Sequence, residues 1–373
     1  QGALRRLLPP GIRALTRLFP AFAGLRAVER TPSPEREIPD RLQLRRQAFS
    51  ALRELMRGLA ARRPLLLCID DLQWGDLDSA ALLAEVLRPP DPPPLLLVLS
   101  FRSEERAASA ALRAMLTREA GDSPFAAATV HRIDLEPLPD SEARVLAAVL
   151  AGGESEVARQ ADAIIREAAG SPIFLGELVR HVRHSRSASG TGERALGESI
   201  DLGQVVCTRV GRLSSAARDL LEVVAVNGQP LEEPLACAAA GLSGAVALES
   251  VATLCDAGLL RCTARGRLET FHDRIWETVV ANLPPGRLRA RHLALARALE
   301  RAPQPDADLL ALHWQGAGEP AKAADYAARA ADRACEALAF ERAARLYQLA
   351  LQLGAARGAG RRALQVRLAD ALA

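Results

Sequence analysis

The sequence predicts an α/β unit built on a parallel sheet, followed by mainly α-helical domains. Two runs of consecutive apolar residues, Leu65–Ile69 and Leu95–Ser100, flank a helical segment. Strand, helix, strand in that order is a βαβ unit, whose strands run parallel. After Pro139 the apolar positions recur at helical spacing instead. Finally, 49% of the residues are hydrophobic but only 3% aromatic. Cores must therefore be built from Leu, Ala and Val, and small residues let helices approach closely.

In chain order, the first 63 residues read as basic helices broken at Pro9, Pro10, Pro32 and Pro34. The best helix runs from about Asp40 to Ala61, with Leu42, Leu44, Phe49, Leu52, Leu55, Met56 and Leu59 at helical spacing. Leu65–Ile69 is a continuous apolar run, the pattern of a strand covered on both faces. A polar helix start at Asp76–Ser79 opens a helix to about Arg88, and the proline cluster from Pro89 to Pro94 ends it. Leu95–Ser100 is the second strand and Val130–Leu135 a third candidate.

Helices are then expected over Ser141–Leu150, Glu154–Ala169 and Ile173–Val182, with a polar linker from His184 to Glu198. Ser214 is a plausible N-cap for a helix over Ala216–Val226, and Gly258 ends one over Val246–Ala257. Leu259–Cys262 and Arg267–Phe271 pair around Arg265-Gly266 as a hairpin. Three helices closed by a hairpin are the parts of a winged helix. From about Arg287 the chain reads as helical to its end. Ala323, Ala327 and Ala330 repeat the spacing of Ala343, Tyr347 and Ala350. Small and aromatic residues at these offsets let helix pairs stack as in tetratricopeptide (TPR) arrays, although the copies lie 20 apart rather than the roughly 34 of that repeat.

The 373 residues suffice for two to four domains. With 48 basic against 45 acidic residues and a net charge of +3, a dedicated nucleic-acid binder is not indicated. Six scattered cysteines without a C-x-x-C pair argue against a zinc site or disulfide framework and for reduced thiols in the cytoplasm. No signal peptide is visible and no apolar run approaches the roughly 20 residues that span a bilayer. The chain opens on Gln1 and stops at Ala373 within a helical run, and is expected to be an internal piece of a longer protein.

The segment with chemistry is Leu65-Leu-Leu-Cys-Ile-Asp70-Asp71-Leu-Gln-Trp74-Gly-Asp76. A buried strand ending in two acids places carboxylates at the C-terminal edge of a parallel sheet, where open α/β folds bind ligands. One such carboxylate can hold Mg²⁺ through its water shell while the next orients or deprotonates a water. The same pair also serves simply as favourable charge before a helix N-terminus. The second strand runs into Phe101-Arg102-Ser103-Glu104-Glu105. An arginine there can report a γ-phosphate, or merely pair with Glu104 or Glu105 at the surface.

Together, IDDLQWGD and the strand ending SFRSEE resemble the Walker B and sensor segments of STAND ATPases, within the AAA+ group. These are signalling regulators akin to maltose-activator-like proteins and to modules attached to bacterial Ser/Thr kinases. The resemblance implies a P-loop-type ATPase remainder in which Asp70 is the Mg²⁺-associated acid, Asp71 the catalytic acid and Arg102 the sensor arginine. Gly170-Ser171-Pro172-Ile173-Phe174 resembles the turn of the family's helical lid, whose proline packs near the adenine; a bland helix–turn–helix explains it as well. Phe271-His272-Asp273-Arg274 resembles the histidine–aspartate motif of its winged helix, where the histidine contacts the β-phosphate of ADP; a lone histidine at a helix start is the plain alternative. The implied domains are a partial nucleotide-binding domain over 1–135, a helical lid over 136–198, a winged helix over 199–290 and incomplete TPR-like repeats over 291–373.

One departure matters. A phosphate loop needs G-x-x-x-x-G-K-[ST], and the single lysine, Lys322, lies in the repeat region. The chain alone is therefore expected to bind ATP weakly or not at all. Three functions follow: a nucleotide-dependent signalling switch, with a Ser/Thr kinase as the favoured output; a DNA-binding regulator; or a TPR-like scaffold with a degenerate ATPase. The first implies ATP/ADP and Mg²⁺ as cofactors, protein partners on the repeats, no membrane partner, and room for a nucleotide-dependent oligomer. Against the second, Arg209, Arg212 and Arg218 are dispersed among acids.

Overall fold

The structure, a computed structural model, describes residues 7–29, 40–116, 128–153, 155–188, 202–354 and 358–372. Helices α1 (Ile12–Leu18), α2 (Arg26–Glu29) and α3 (Arg41–Ala60) lead into strand β1 (Leu65–Ile69), which α4 (Leu77–Leu87) connects to β2 (Leu95–Leu99); α5 (Ala110–Leu116) follows. Next come α6 (Asp140–Ala151), α7 (Ser155–Arg159), α8 (Ala161–Ala168) and α9 (Pro172–Ala188). The middle of the chain holds α10 (Leu202–Arg212), α11 (Ser215–Asn227), β3 (Leu231–Glu232), α12 (Glu233–Ala239), α13 (Gly244–Asp256), β4 (Leu260–Cys262), β5 (Arg267–Thr270) and α14 (Asp273–Ala281). Five helices close it: α15 (Pro285–Glu300), α16 (Ala307–Gly316), α17 (Pro320–Glu336), α18 (Phe340–Gln352) and α19 (Ala359–Leu372). The fold is thus mostly helical, with one small parallel and one small antiparallel sheet. Among the described residues no single helix is long and apolar enough to cross a membrane.

Local chemistry explains several of the helix starts. The Asp40 carboxylate accepts from the Leu42 amide at 2.9 Å and starts α3; Asp76 accepts from Ser79 at 2.7 Å and starts α4. Ser214 caps α11 through the Ala217 amide at 3.2 Å. Each oxygen satisfies a first-turn amide that has no partner in the helix.

Contacts group the chain into two units. The first comprises Gln1–His131, Asp306–Leu312 and Glu319–Ala373; the second comprises Arg132–Pro305 and His313–Gly318. In the first, Ile12 and Leu15 of α1 pack on Leu52 and Leu55 of α3 and Val86 of α4. A neighbouring cluster sets Leu72, Ala80, Leu112 and Met115 beneath the ends of β1 and β2, beside Ile69 and Leu99. The strands pair parallel, Leu65 opposite Leu95 through Ile69 opposite Leu99. The repeated positions Ala323, Ala327, Ala330, Ala343, Tyr347 and Ala350 are all buried. Tyr347 packs with Ala331, Ala343 and Leu364 of α19.

The second unit has two cores. One is Ala143, Ala147, Ile164, Ile165, Leu175 and Leu178 from α6, α8 and α9. The other centres on α11, where Leu220, Leu221 and Val224 meet Leu254, Leu260, Leu268 and Leu295. Here β4 and β5 form the antiparallel hairpin, and β3 adds to the far edge of β5. Glu177 of α9 joins the two groups of helices: buried, it pairs with Arg180 at 2.8 Å and with Arg209 of α10, whose guanidinium also reaches the Ala257 carbonyl.

Four expectations are corrected. The parallel sheet is covered on one face only: Leu66, Leu96 and Val98 are 58%, 64% and 45% exposed, so those runs are not buried on both sides among the described residues. Val130–Leu135 is not a strand; it is irregular and exposed, and no described strand lies beside it to complete a ladder. The helix expected over 154–169 breaks at Gln160 into α7 and α8. The polar linker starts later than expected, since α9 continues to Ala188; its remainder, 189–198, lies outside the described residues.

Candidate functional site

Beyond the paired strands the ladder continues by one crossing: the Ser100 amide donates to the Ile69 carbonyl at 3.0 Å, and the Leu72 amide to the Ser100 carbonyl at 2.9 Å. Between these anchors Asp70 and Asp71 are exposed at the C-terminal edge of the sheet. The Asp71 amide donates to Asp70 Oδ1 at 3.1 Å and to Ser100 Oγ at 3.2 Å. The Ser100 hydroxyl in turn donates to the same Asp70 Oδ1. Asp71 sits in the left-handed region at φ 52°, ψ 45°, which aspartate tolerates better than most residues. The turn holds it there.

Gln73, buried under this turn, ties the two strand ends together. Its Nε2 donates to Asp71 Oδ1 at 2.9 Å and its Oε1 accepts the Arg102 amide at 3.2 Å. Arg102 is half-buried at the end of β2. Asp70, Asp71 and Arg102 thus lie at one edge. Gln73 and Ser100 were not foreseen as contributors. The only signal for Gln73 was a polar side chain in an otherwise apolar turn, Leu72–Trp74, and polarity alone does not announce burial. Trp74 is 72% exposed. Asp76 serves the helix start: burial raises its carboxyl, but the Ser79 hydrogen bonds, with Arg342 and Arg345 nearby, hold it below the ordinary carboxylate value.

The donor set is oxygen only, two carboxylates and a hydroxyl, which suits a hard cation such as Mg²⁺ held through water. Among the described residues no three His, Cys, Asp or Glu side chains gather into a full cage. Lys322, the sole lysine, is exposed on α17. The edge therefore fits a metal-associated acid pair but lacks a phosphate-gripping cation of the P-loop kind. Asp71→Asn should leave folding within about 0.5 kcal/mol, since asparagine also accepts the left-handed conformation; Asp71→Val should cost about 1–2 kcal/mol. Urea unfolding of both variants checks this, and equal losses would refute it.

In the second unit, Ala169 caps α8 in the left-handed region, Gly170 follows at φ +73°, and Pro172 opens α9. Ser171 Oγ accepts the Phe174 amide at 3.4 Å. Phe174 meets the ring of His272 edge-on, centroids 5.4 Å apart. His272 precedes α14 and its carbonyl accepts the Ile275 amide at 3.0 Å. The turns bearing Pro172 and His272, a hundred residues apart in sequence, therefore meet through Phe174.

No known protein family matches the sequence, and no curated protein does. Among solved structures, the chain is similar to a STAND signal-transduction ATPase with a tetratricopeptide repeat sensor from Pyrococcus horikoshii. The identity is 14% and the TM-score 0.47, over 97% of this chain and 52% of that one. The chain thus spans about half the length of that protein, and a likeness of this degree carries no weight for function.

Proposed function

We propose that this chain is the acid-bearing and controlling part of a STAND-type, nucleotide-dependent signalling switch of the cytoplasm. The observation that carries the reading is the edge where Asp70, Asp71, Ser100, Gln73 and Arg102 converge beyond a parallel strand pair. On this reading Asp70 is the Walker B acid that holds Mg²⁺ through water, leaving its Oδ1 to Ser100 and the Asp71 amide. Asp71, with Oδ1 tied to Gln73, uses Oδ2 to orient a water and take its proton. Arg102 senses the γ-phosphate. Bound Mg²⁺ supplies charge neutralisation to the phosphates. Pro172 and His272, brought together through Phe174, form the lid and winged-helix contacts to adenine and β-phosphate. The TPR-like helices α16–α19 take protein partners, and a Ser/Thr kinase is the output.

Two observations support this over the alternatives. Among the described residues β2 has an open backbone edge, and a further strand carrying the Gly-rich loop would pair with it. Against DNA binding, arginines of the 199–290 region and the following helix are spent inside the chain. Arg209 is paired with Glu177, Arg261 with Glu269, Arg218 with the carbonyls of Val210, Gly211 and Leu213, and Arg287 and Arg291 with Asp219 and Glu222.

The test is MgATP titration of the full-length protein. Saturable, Mg²⁺-dependent binding that weakens at least tenfold in Asp70→Asn is expected. Absent binding, or binding indifferent to Asp70→Asn, overturns the reading. Hydrolysis by residues 1–373 alone, lost in Asp71→Asn, would show that the phosphate grip lies within this chain and overturn the division of labour.

A further inference from the structure

Helix α18 lacks a cap of its own. Ala339 stands at its N-cap position and offers no side-chain oxygen to the first turn. The missing acceptor comes from another helix 261 residues earlier in the sequence: Asp78, in the first turn of α4. Its Oδ2 accepts the Arg342 amide at 2.9 Å and its Oδ1 the Glu341 amide at 3.4 Å. These are the second and third amides of α18, the two that an N-cap normally satisfies. Asp78 is buried, 8% exposed, and its charge is balanced by Arg45 of α3 at 3.2 Å. The Arg45 guanidinium lies over both Phe49 of α3 and Phe340, the first residue of α18, at 5.1 and 5.5 Å. Phe340 and Leu338 are buried against Ala14 and Ala48. The sign of the Asp78 charge also suits the helix dipole it meets.

Asp78 is closely tied to the acid edge. Asp71, the turn Leu72–Trp74 and the first turn of α4 are consecutive. They are pinned by Leu72 to Ser100, by Gln73 to Asp71 and Arg102, and by the Asp76 cap. These bonds join the acid loop and the start of α4 into one hydrogen-bonded run that ends at Asp78.

We propose that Asp78 is a latch, a cap supplied by a distant helix of the same chain, that makes the order of the acid loop 70–77 and of the first turn of α18 interdependent. A ligand that shifts the loop uncaps the repeat helix; a partner that draws α18 away loosens the loop. Linkage requires both directions. The proposal deepens the switch reading by naming how the repeats would feel the site, but the latch is tested without nucleotide. Its failure and the failure of MgATP binding are therefore separate results.

Hydrogen exchange on the full chain, followed by mass spectrometry, decides it. In Asp78→Ala, exchange should speed by about 10- to 100-fold both in peptides covering 340–344 and in those covering 70–77. Adding a local cap, Ala339→Asp, should restore 340–344 while 70–77 stays fast. Should the alanine variant fail to fold, Asp78→Asn, which keeps one acceptor oxygen, should speed both segments to a smaller degree. Unchanged exchange at either segment in the Asp78 variant overturns the latch. So does recovery of both segments on adding Ala339→Asp, which would make Asp78 a structural cap and nothing more.

Discussion

Gly170→Ala is expected to destabilise the protein by about 3 kcal/mol, a large effect for one methyl group. Two costs combine. Gly170 has φ +73°, where a Cβ is strained. A Cβ built there would also lie 2.5 Å from Pro137 Cβ, 2.7 Å from the Leu138 carbonyl oxygen and 2.9 Å from its nitrogen. The chain at 137–138 cannot move aside freely, because the Leu138 amide donates to the Gly170 carbonyl at 2.8 Å. Scanning calorimetry should show a transition lower by about 6–12 °C for a unit of this size. A shift under 1 °C would mean that the approach is not tight. The neighbouring Ala169, at φ 47°, gives the opposite prediction: Ala169→Gly should stabilise by about 0.5–1 kcal/mol.

Mild acid should weaken the second unit through His313. This side chain is fully buried, with Nε2 3.1 Å from Asn227 Oδ1 and Nδ1 3.0 Å from His292 Nδ1. Asn227 uses its Nδ2 to donate to the Gln229 carbonyl at 2.8 Å. Its Oδ1 therefore needs a donor, and that fixes the proton on His313 Nε2. His313 Nδ1 is left as acceptor and His292 Nδ1 as donor, so a second proton on His313 has no partner. Gly316 brings the rings this close, since a Cβ there would sit 2.5–2.6 Å from the His292 ring. Burial, with His292 alongside, lowers His313 from 6.5 to about 3, and burial lowers His292 too.

The sign follows directly. The unfolded chain binds protons below about pH 6.5 that the folded chain refuses. Stability is therefore complete above that pH and falls as pH drops toward 3. The slope for one such proton is about 1.4 kcal/mol per pH unit, or about 2 kcal/mol between neutral pH and pH 5. Urea unfolding at pH 7 and pH 5 measures the drop. His313→Gln should be less stable at pH 7 yet lose much less between the two; an undiminished drop would assign the acid sensitivity elsewhere.

Much of the local structure was legible in the sequence. Asp40, Asp76 and Ser214 announced their helices because a cap is a contact within one turn of chain. β1 and β2 were legible because a continuous apolar run bounded by polar or proline residues has few other solutions. The hairpin at Arg265-Gly266 was likewise local. The candidate site was readable to the extent that it is contiguous: Asp70 and Asp71 end one strand, and Arg102 follows the next. The share not visible was the lateral part. Val130–Leu135 has strand composition, but a strand exists only where a neighbour supplies hydrogen bonds, and no residue type in the segment encodes that neighbour.

What the sequence by itself determined is the order of elements and the chemistry available at each end, since caps, apolar periods and acid pairs act over a few residues. Only the tertiary structure decided which groups meet. It buried Gln73 between Asp71 and Arg102, set Phe174 against His272, closed His313 between Asn227 and His292, and gave α18 its cap from Asp78. Each joins residues remote in sequence or hidden beneath a turn. Burial and directional hydrogen bonding select such pairs from the whole folded surface, and linear spacing carries no record of that selection.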